Sequence, residues 1–205
     1  MTRVFLASRN AKKLAEMRRI LTEHLRDVEV LGLDDVPAYD EPVEDQPTFE
    51  GNALLKARAG LVATGLPSVA DDSGLCVNAL NSMPGVLSAR WSGRPKSDER
   101  NNSLLLEQLA DVPDERRGAH FTCAVAFCAP GRGPLVVEGR MDGRIIHEAR
   151  GTGGFGYDVL FEAVEFPGHT TAELDPTDKD AISHRGRALR EIAPQIAAVL
   201  SGDTV

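Results

Sequence analysis

Residues 3–25 read RVFLASRNAKKLAEMRRILTEHL, and this stretch decides the class of fold. Its first part, RVFLAS at 3–8, carries an unbroken apolar run, which suits a short strand buried on both faces. Asn10 then leads into a segment with Leu14, Met17, Leu21 and Leu25 at helical spacing. A buried strand, a polar loop and an amphipathic helix are the opening of an α/β protein.

Reading outward, VEVLGL at 28–33 predicts a second strand, and Pro37, Pro42 and Pro47 mark the acidic segment after it as a loop. Thr48 predicts a cap for a helix over FEGNALLKARAGLVAT, with Phe49, Ala53, Ala57 and Gly60 or Leu61 on one side. SVADDSGLCVNAL reads as a strand broken by a tight Asp-Ser-Gly turn, and SDERNNSLLLEQLADV as a helix begun by Ser97 or Asp98. AHFTCAVAFCA and PLVVEGRMDGRII read as strands joined by a PGRG hairpin loop. From Ser183 to Leu200 a final helix carries Leu189, Ile192, Ile196 and Val199. No repeat, low-complexity tract or composition break divides the chain, so residues 1–205 are expected to form one α/β domain with a mixed sheet.

Hydrophobic residues make up 42% and charged residues 26% of the 205, a globular balance rather than a disordered one. No long apolar run suggests a secretory signal or a membrane span, so a cytoplasmic location is expected. Net charge is −8, and nine acidic residues with no Lys or Arg fall between Asp27 and Glu50. Such a chain is a poor partner for nucleic acid or a lipid surface, which reward a basic stripe. A small polyanion in a locally basic site remains compatible with it. Cys76, Cys123 and Cys128 are too few for a disulfide framework and read as reduced, buried thiols.

Four segments could carry chemistry. GTGGFGYD at 151–158 fits G-x-G-x-x-G by letter, but it runs into the strand-like YDVLFE instead of opening a helix. It also has the Walker spacing, yet Tyr157 and Asp158 stand where a Lys and a Ser or Thr are needed. What remains is a glycine-rich backbone beside Phe155 and Tyr157, suited to stacking on a base or simply to a tight turn. SRNAKK places Ser8, Asn10 and Lys13 after a strand, where a loop and helix start can gather anionic oxygens. In ADDSG, alternation turns Asp71 and Asp72 to opposite sides. One of them, with Glu44, suits the oxygen ligation of Mg²⁺ beside a phosphate, the alternative being an Asx bond near Gly74. Finally, a helix begun at Ser183 puts His184 and Arg185 in its first turn, where cations oppose the dipole and call for an anion or acceptor.

Together ASRNAKK at 7–13, TFEGNALLKA at 48–57, ADDSGL at 70–75, PGVLSARWSG at 84–93, GTGGFGYD at 151–158 and SHRGRAL at 183–189 strongly resemble the inosine triphosphate pyrophosphatase family. The resemblance covers nearly the whole chain. It implies an elongated mixed sheet with helices in two lobes around a central substrate cleft, and a homodimer. It implies Mg²⁺-dependent release of pyrophosphate from non-canonical purine nucleoside triphosphates such as ITP, dITP and XTP. Carried over, the loop Ser8, Arg9, Asn10, Ala11, Lys12 and Lys13 would bind triphosphate with Lys56 nearby. Asp72 would be general base and, with Glu44, the metal-side carboxylate; Glu41 or Asp45 could replace Glu44. Ser73 would touch substrate, Phe155, Gly156, Tyr157 and Asp158 would form the base and sugar pocket, and Lys179, His184 and Arg185 would complete it. Arg185 is the expected donor to a purine 6-oxo group, with backbone near Phe155 and Gly156 as candidates at C2. A purine-nucleotide sensor without catalysis and a dinucleotide-dependent oxidoreductase are the competing readings.

Overall fold

The computed structural model describes residues 2–8, 11–24 and 28–201. In chain order the elements are β1 (Thr2–Leu6), α1 (Ala11–His24), β2 (Val28–Leu31), α2 (Phe49–Thr64), β3 (Ser68–Val77) and α3 (Asp98–Gln108). Then come β4 (Gly118–Cys128), β5 (Leu135–Ile145), β6 (Phe161–Ala163), α4 (Pro176–Ile182) and α5 (His184–Ser201). The six strands form one sheet in the order β2-β1-β3-β4-β5-β6. It is mixed, as expected: β1 pairs in parallel with β2 (Val4 opposite Val30) and β3 (Leu6 opposite Val69), whereas β5 and β6 are antiparallel (Arg144 opposite Glu162).

The chain divides into two compact units. The first takes the described residues of 1–72, 123–139 and 185–205. Its core is built by the strand residues Val4, Leu6, Val69, Val125 and Phe127, with Met17 and Leu21 of α1 and Leu189, Ile192 and Ile196 of α5. The second takes 73–122 and 140–184, with Leu75, Leu105, Phe121, Met141, Tyr157, Leu160, Phe161 and Ile182 at its centre. Leu14, Met17 and Leu21 of the first helix and Leu189, Ile192, Ile196 and Val199 of the last therefore find their targets, Leu25 lying outside the described residues, and Phe49, Ala53, Ala57 and Gly60 of α2 are buried on one side. All three cysteines are buried thiols.

Three elements differ from the sequence expectation. β3 is continuous through Asp71-Asp72-Ser73-Gly74 instead of turning there. Ladder bonds to neighbours outweigh a local Asx turn, and the far part of the strand is held by Ser88, whose Oγ accepts from Leu75 N at 2.9 Å. YDVLFE is turn up to Leu160, and only Phe161–Ala163 is strand. The short helix α4 went unread; Asp175 caps it, accepting from Thr177 N at 2.9 Å and Asp178 N at 3.0 Å.

In the second unit Arg117 is only 2% exposed, and its guanidinium donates its hydrogen bonds to backbone carbonyls. It donates to Ile145 O at 2.8 Å, Ile146 O at 3.0 Å, Leu109 O at 2.7 Å and Val112 O at 3.4 Å. It thus ties the end of α3 to the end of β5. Arg117→Ala should cost about 3 kcal/mol or more, because several buried acceptors lose their donor at once. Arg117→Lys should restore little, since one ammonium cannot span a planar fork of acceptors. Urea unfolding decides it: a lysine variant as stable as the parent would show that charge alone, not the fork, is required.

Candidate active site

Within the first unit, α2 builds one half of the constellation. Thr48 Oγ1 accepts from Gly51 N at 3.0 Å and starts the helix. That start places Asn52 and Lys56, four residues apart, on one face. Asn52 is 1% exposed; its Oδ1 accepts from Gln46 N and its Nδ2 donates to Asp72 Oδ2, each at 3.0 Å. Lys56 Nζ lies 2.7 Å from Glu44 Oε1 and 3.6 Å from Asp72 Oδ1. Asn52 was absent from the sequence expectation, although its four-residue spacing from Lys56 on the expected helix was the available signal.

Asp71 points the other way, as alternation requires. It is 2% exposed and accepts from Arg185 Nε at 3.2 Å, with Cys123 Sγ at 3.7 Å. The acceptor that the first turn of α5 called for is therefore Asp71. Arg185 is buried in an ion pair within its own unit.

The titration of this cluster follows from its charge count. Burial pulls Lys56 down, but Asp72, Asp71 and Glu44 more than offset this and hold its pKa above the usual lysine value. Burial pushes Asp72 up; Lys56 and the Asn52 hydrogen bond pull it down, Glu44 and Asp71 push it further up, and the result is a raised carboxyl. The lysine shift reports negative charge around it and the Asp72 shift is first a cost of burial, and under both a further positive charge is welcome. Mg²⁺ is held by one or two carboxylates completed by phosphate and water, so Asp72 and Glu44 fit it as a donor pair. Among the described residues no group of three or more His, Cys, Asp or Glu could hold a metal by itself.

Ser8 ends the β1 segment beside a cavity of about 360 Å³ lined also by Arg18, Gly32 and Asp35. Arg9 and Asn10 lie outside the described residues, as do the side chains of Ala11, Lys12 and Lys13 at the start of α1. Ser73, next after Asp72 on β3, is half-buried.

In the second unit, Asp158 organises the glycine-rich loop. Its Oδ2 accepts from Phe155 N at 2.8 Å and pairs with Lys179 Nζ at 2.5 Å, while Thr171 Oγ1 donates to Oδ1 at 2.8 Å. Lys179 Nζ also stands 5.5 Å from the centre of the Phe155 ring. Phe155 is 51% exposed, whereas Tyr157 is buried and donates its hydroxyl to Ser88 O at 2.9 Å. Burial, with the charge of Asp98 adding to it, pushes the Tyr157 phenol well up, so it stays a donor. His184 stacks on Phe121 with ring centres 5.0 Å apart.

A scan of family models matches residues 4–195 to the Ham1 family. A protein of Nocardia farcinica named dITP/XTP pyrophosphatase is 60% identical over 200 residues, covering 97% of this chain and 97% of its own length. One of the same name from Cutibacterium acnes is 53% identical over 203 residues, covering 98% and 100%. Among solved structures, a Mycobacterium abscessus nucleoside-triphosphatase, dITP/XTP pyrophosphatase, has a TM-score of 0.79 at 54% identity, covering 94% of this chain and all of its own. A HAM1 protein of Coxiella burnetii has a TM-score of 0.84 at 41% identity, covering 98% and 100%.

Two outcomes follow from the geometry. Because the Asp72 pKa is raised in the fold, ionising it costs more folded than unfolded; that penalty is absent below the unfolded value of about 3.9 and complete above the folded one. With chelator present, Asp72→Asn should be as stable as the parent or more so at pH 7, and the two should converge in acid. A variant markedly less stable at pH 7 in thermal melts would contradict the assignment. Separately, Gly154 has φ 73°, and a Cβ there would overlap Asp158 Oδ2 and lie 2.7 Å from Lys179 Nζ. Gly154→Ala should cost about 2 kcal/mol or more, and an unchanged melting curve would show the pair to be freely displaceable.

Proposed function

Since this chain belongs to the Ham1 family, we propose that it is a nucleoside triphosphate pyrophosphatase that clears non-canonical purine nucleotides, ITP, dITP and XTP, from the nucleotide pool. The observation that carries the reading is the Asp72, Lys56, Glu44 and Asn52 constellation in a chain so similar to proteins bearing that name. A sensor has little use for half-buried carboxylates next to a polyphosphate, and an oxidoreductase is left without its fingerprint, since the glycines of 151–156 precede turn and strand rather than a helix.

Water attacks the α-phosphorus, the bond to the bridging oxygen breaks, and pyrophosphate leaves with a nucleoside monophosphate behind. Asp72 takes the proton of the attacking water. A carboxyl whose pKa is raised by burial is a stronger base than an exposed one, and Asn52 holds its Oδ2 so that Oδ1 stays toward Lys56. Asp72 and Glu44 would hold Mg²⁺, which when bound supplies charge neutralisation for the phosphates. Ser8, Arg9, Asn10, Ala11, Lys12 and Lys13 bind the triphosphate, with Lys56 neutralising developing charge. Ser73 touches substrate, and Phe155, Gly156, Tyr157, Asp158, Lys179 and His184 serve the nucleoside. Arg185, which is paired with Asp71, serves as the donor to the purine 6-oxo group. The proposal extends to a homodimer working in the cytoplasm; among the described residues no helix is long and apolar enough to cross a membrane.

A panel of triphosphates assayed with Mg²⁺ should yield pyrophosphate from ITP, dITP and XTP, stop with chelator and resume with added Mg²⁺. Nucleoside diphosphate and orthophosphate as products would place cleavage at the γ-phosphorus and sink the reading. Asp72→Asn should lose about 10²-fold or more in kcat while remaining folded.

A further inference from the structure

Asp98 and Asn102 lie one turn apart on α3 and grip both sides of a single residue of the glycine-rich loop. Gly156 N donates to Asp98 Oδ2 at 2.7 Å, and Asn102 Nδ2 donates to Gly156 O at 3.0 Å. Gly156 has φ 62°, and a Cβ there would meet no atom within 4 Å. Glycine serves here for its left-handed backbone, not for lack of room. All three residues belong to the second unit.

The flanking residues are held as well. Phe155 N is taken by Asp158, the Tyr157 hydroxyl by Ser88 O, and the Asp158 carboxylate by Thr171 and Lys179. Of residues 155–158, Phe155 is the one exposed. The backbone N–H groups of Phe155 and Gly156 already serve protein carboxylates, so what residues 155–158 present outward is the Phe155 ring. The other side of the clamp is firm: Ser97 Oγ accepts from Arg100 N at 3.2 Å to start α3, and Leu105 is fully buried. Next to Asn102, the buried Asn101 accepts from Ser92 N at 2.8 Å and donates to Ser88 O at 3.3 Å, fixing the helix face that carries the grip.

We infer that Asp98 and Asn102 are positioning residues for purine selection: by fixing the Gly156 peptide they set the direction of the Phe155 ring, and with it the discrimination between bases. The inference rests on the pyrophosphatase reading and on residues 155–158 serving the nucleoside. The two grips have opposite chemistry, which makes them separable. Asn at 98 keeps an acceptor for the Gly156 N–H, whereas Asp at 102 sets a carboxylate against the Gly156 carbonyl.

The experiment pairs hydrogen exchange at the Gly156 amide with kcat and KM for ITP and ATP. Asp98→Ala should speed Gly156 exchange, raise KM for ITP about 10-fold with kcat within about twofold, and narrow the ITP to ATP ratio of kcat/KM about 10-fold. Asn102→Asp should do at least as much, and Asp98→Asn should restore parental values. Should Asp98→Ala not fold, the contrast between Asn102→Ala and Asn102→Asp carries the test, the latter being the more impaired. Faster exchange with an unchanged ITP to ATP ratio overturns the inference and leaves a structural contact only. Unchanged exchange in every variant removes the clamp itself. A parent that releases no pyrophosphate, while its Gly156 exchange still depends on Asp98, overturns the pyrophosphatase reading and the selection role together but leaves the clamp standing.

Discussion

Two adjacent carboxylates on an extended strand cannot share an environment, and the first unit is arranged around that constraint. β3 sends Asp71 and Asp72 to opposite sides. A desolvated carboxylate costs several kcal/mol unless a partner compensates it, so each side must provide one. For Asp71 the partner is Arg185, reaching from the first turn of α5. The pair also answers the unfavourable placement of a cation at a helix start, because the carboxylate offsets what the dipole opposes. Asp71 is thus committed to holding the unit together, and Asp72 is the one available for the chemistry proposed above.

The environment of Asp72 would be a poor choice for stability alone. Lys56 is shared between Asp72 and Glu44, so one ammonium serves two carboxylates, with the charge of Asp71 behind them. The raised pKa of Lys56 expresses this imbalance, and the raised pKa of Asp72 expresses first the cost of its burial. Functional sites commonly carry such strain, with stability supplied elsewhere. Here it is supplied by the apolar core of α1, α5 and the strands between them. Asn52 keeps the arrangement single-valued: one amide bonds the loop before α2 and the carboxylate on β3 at once.

The glycines of 151–156 serve separate purposes. A Cβ at Gly151 or Gly153 would run into the Ala172 backbone, and one at Gly154 would displace the Asp158 and Lys179 pair. Gly151, Gly154 and Gly156 all have left-handed dihedral angles, and of the glycines of 151–156 Gly156 alone has open space around it, so that its glycine serves the dihedral angle only. The loop's one carboxylate, Asp158, is spent on the Phe155 N–H, Thr171 and Lys179.

Periodicity and turn chemistry made much of this protein legible from the sequence: the strand and helix opening, the Thr48 and Ser97 caps, the buried face of α2, the hairpin after β4 and the opposite facing of Asp71 and Asp72. These are local properties, set by spacing along the chain. The continuity of β3 was not legible, because Asp-Ser-Gly favours a turn until neighbouring strands and Ser88 offer better partners. Nor were the partners of the charged groups. That Lys56 stands between Glu44 and Asp72, that Arg185 belongs to Asp71, and that Asp98 and Asn102 hold Gly156 all depend on residues far apart in sequence. Sequence by itself determined which residues could carry charge and in which direction a strand or helix would point them. Tertiary structure alone decided which charge each one meets, because burial and pairing are set by what the folded chain brings alongside.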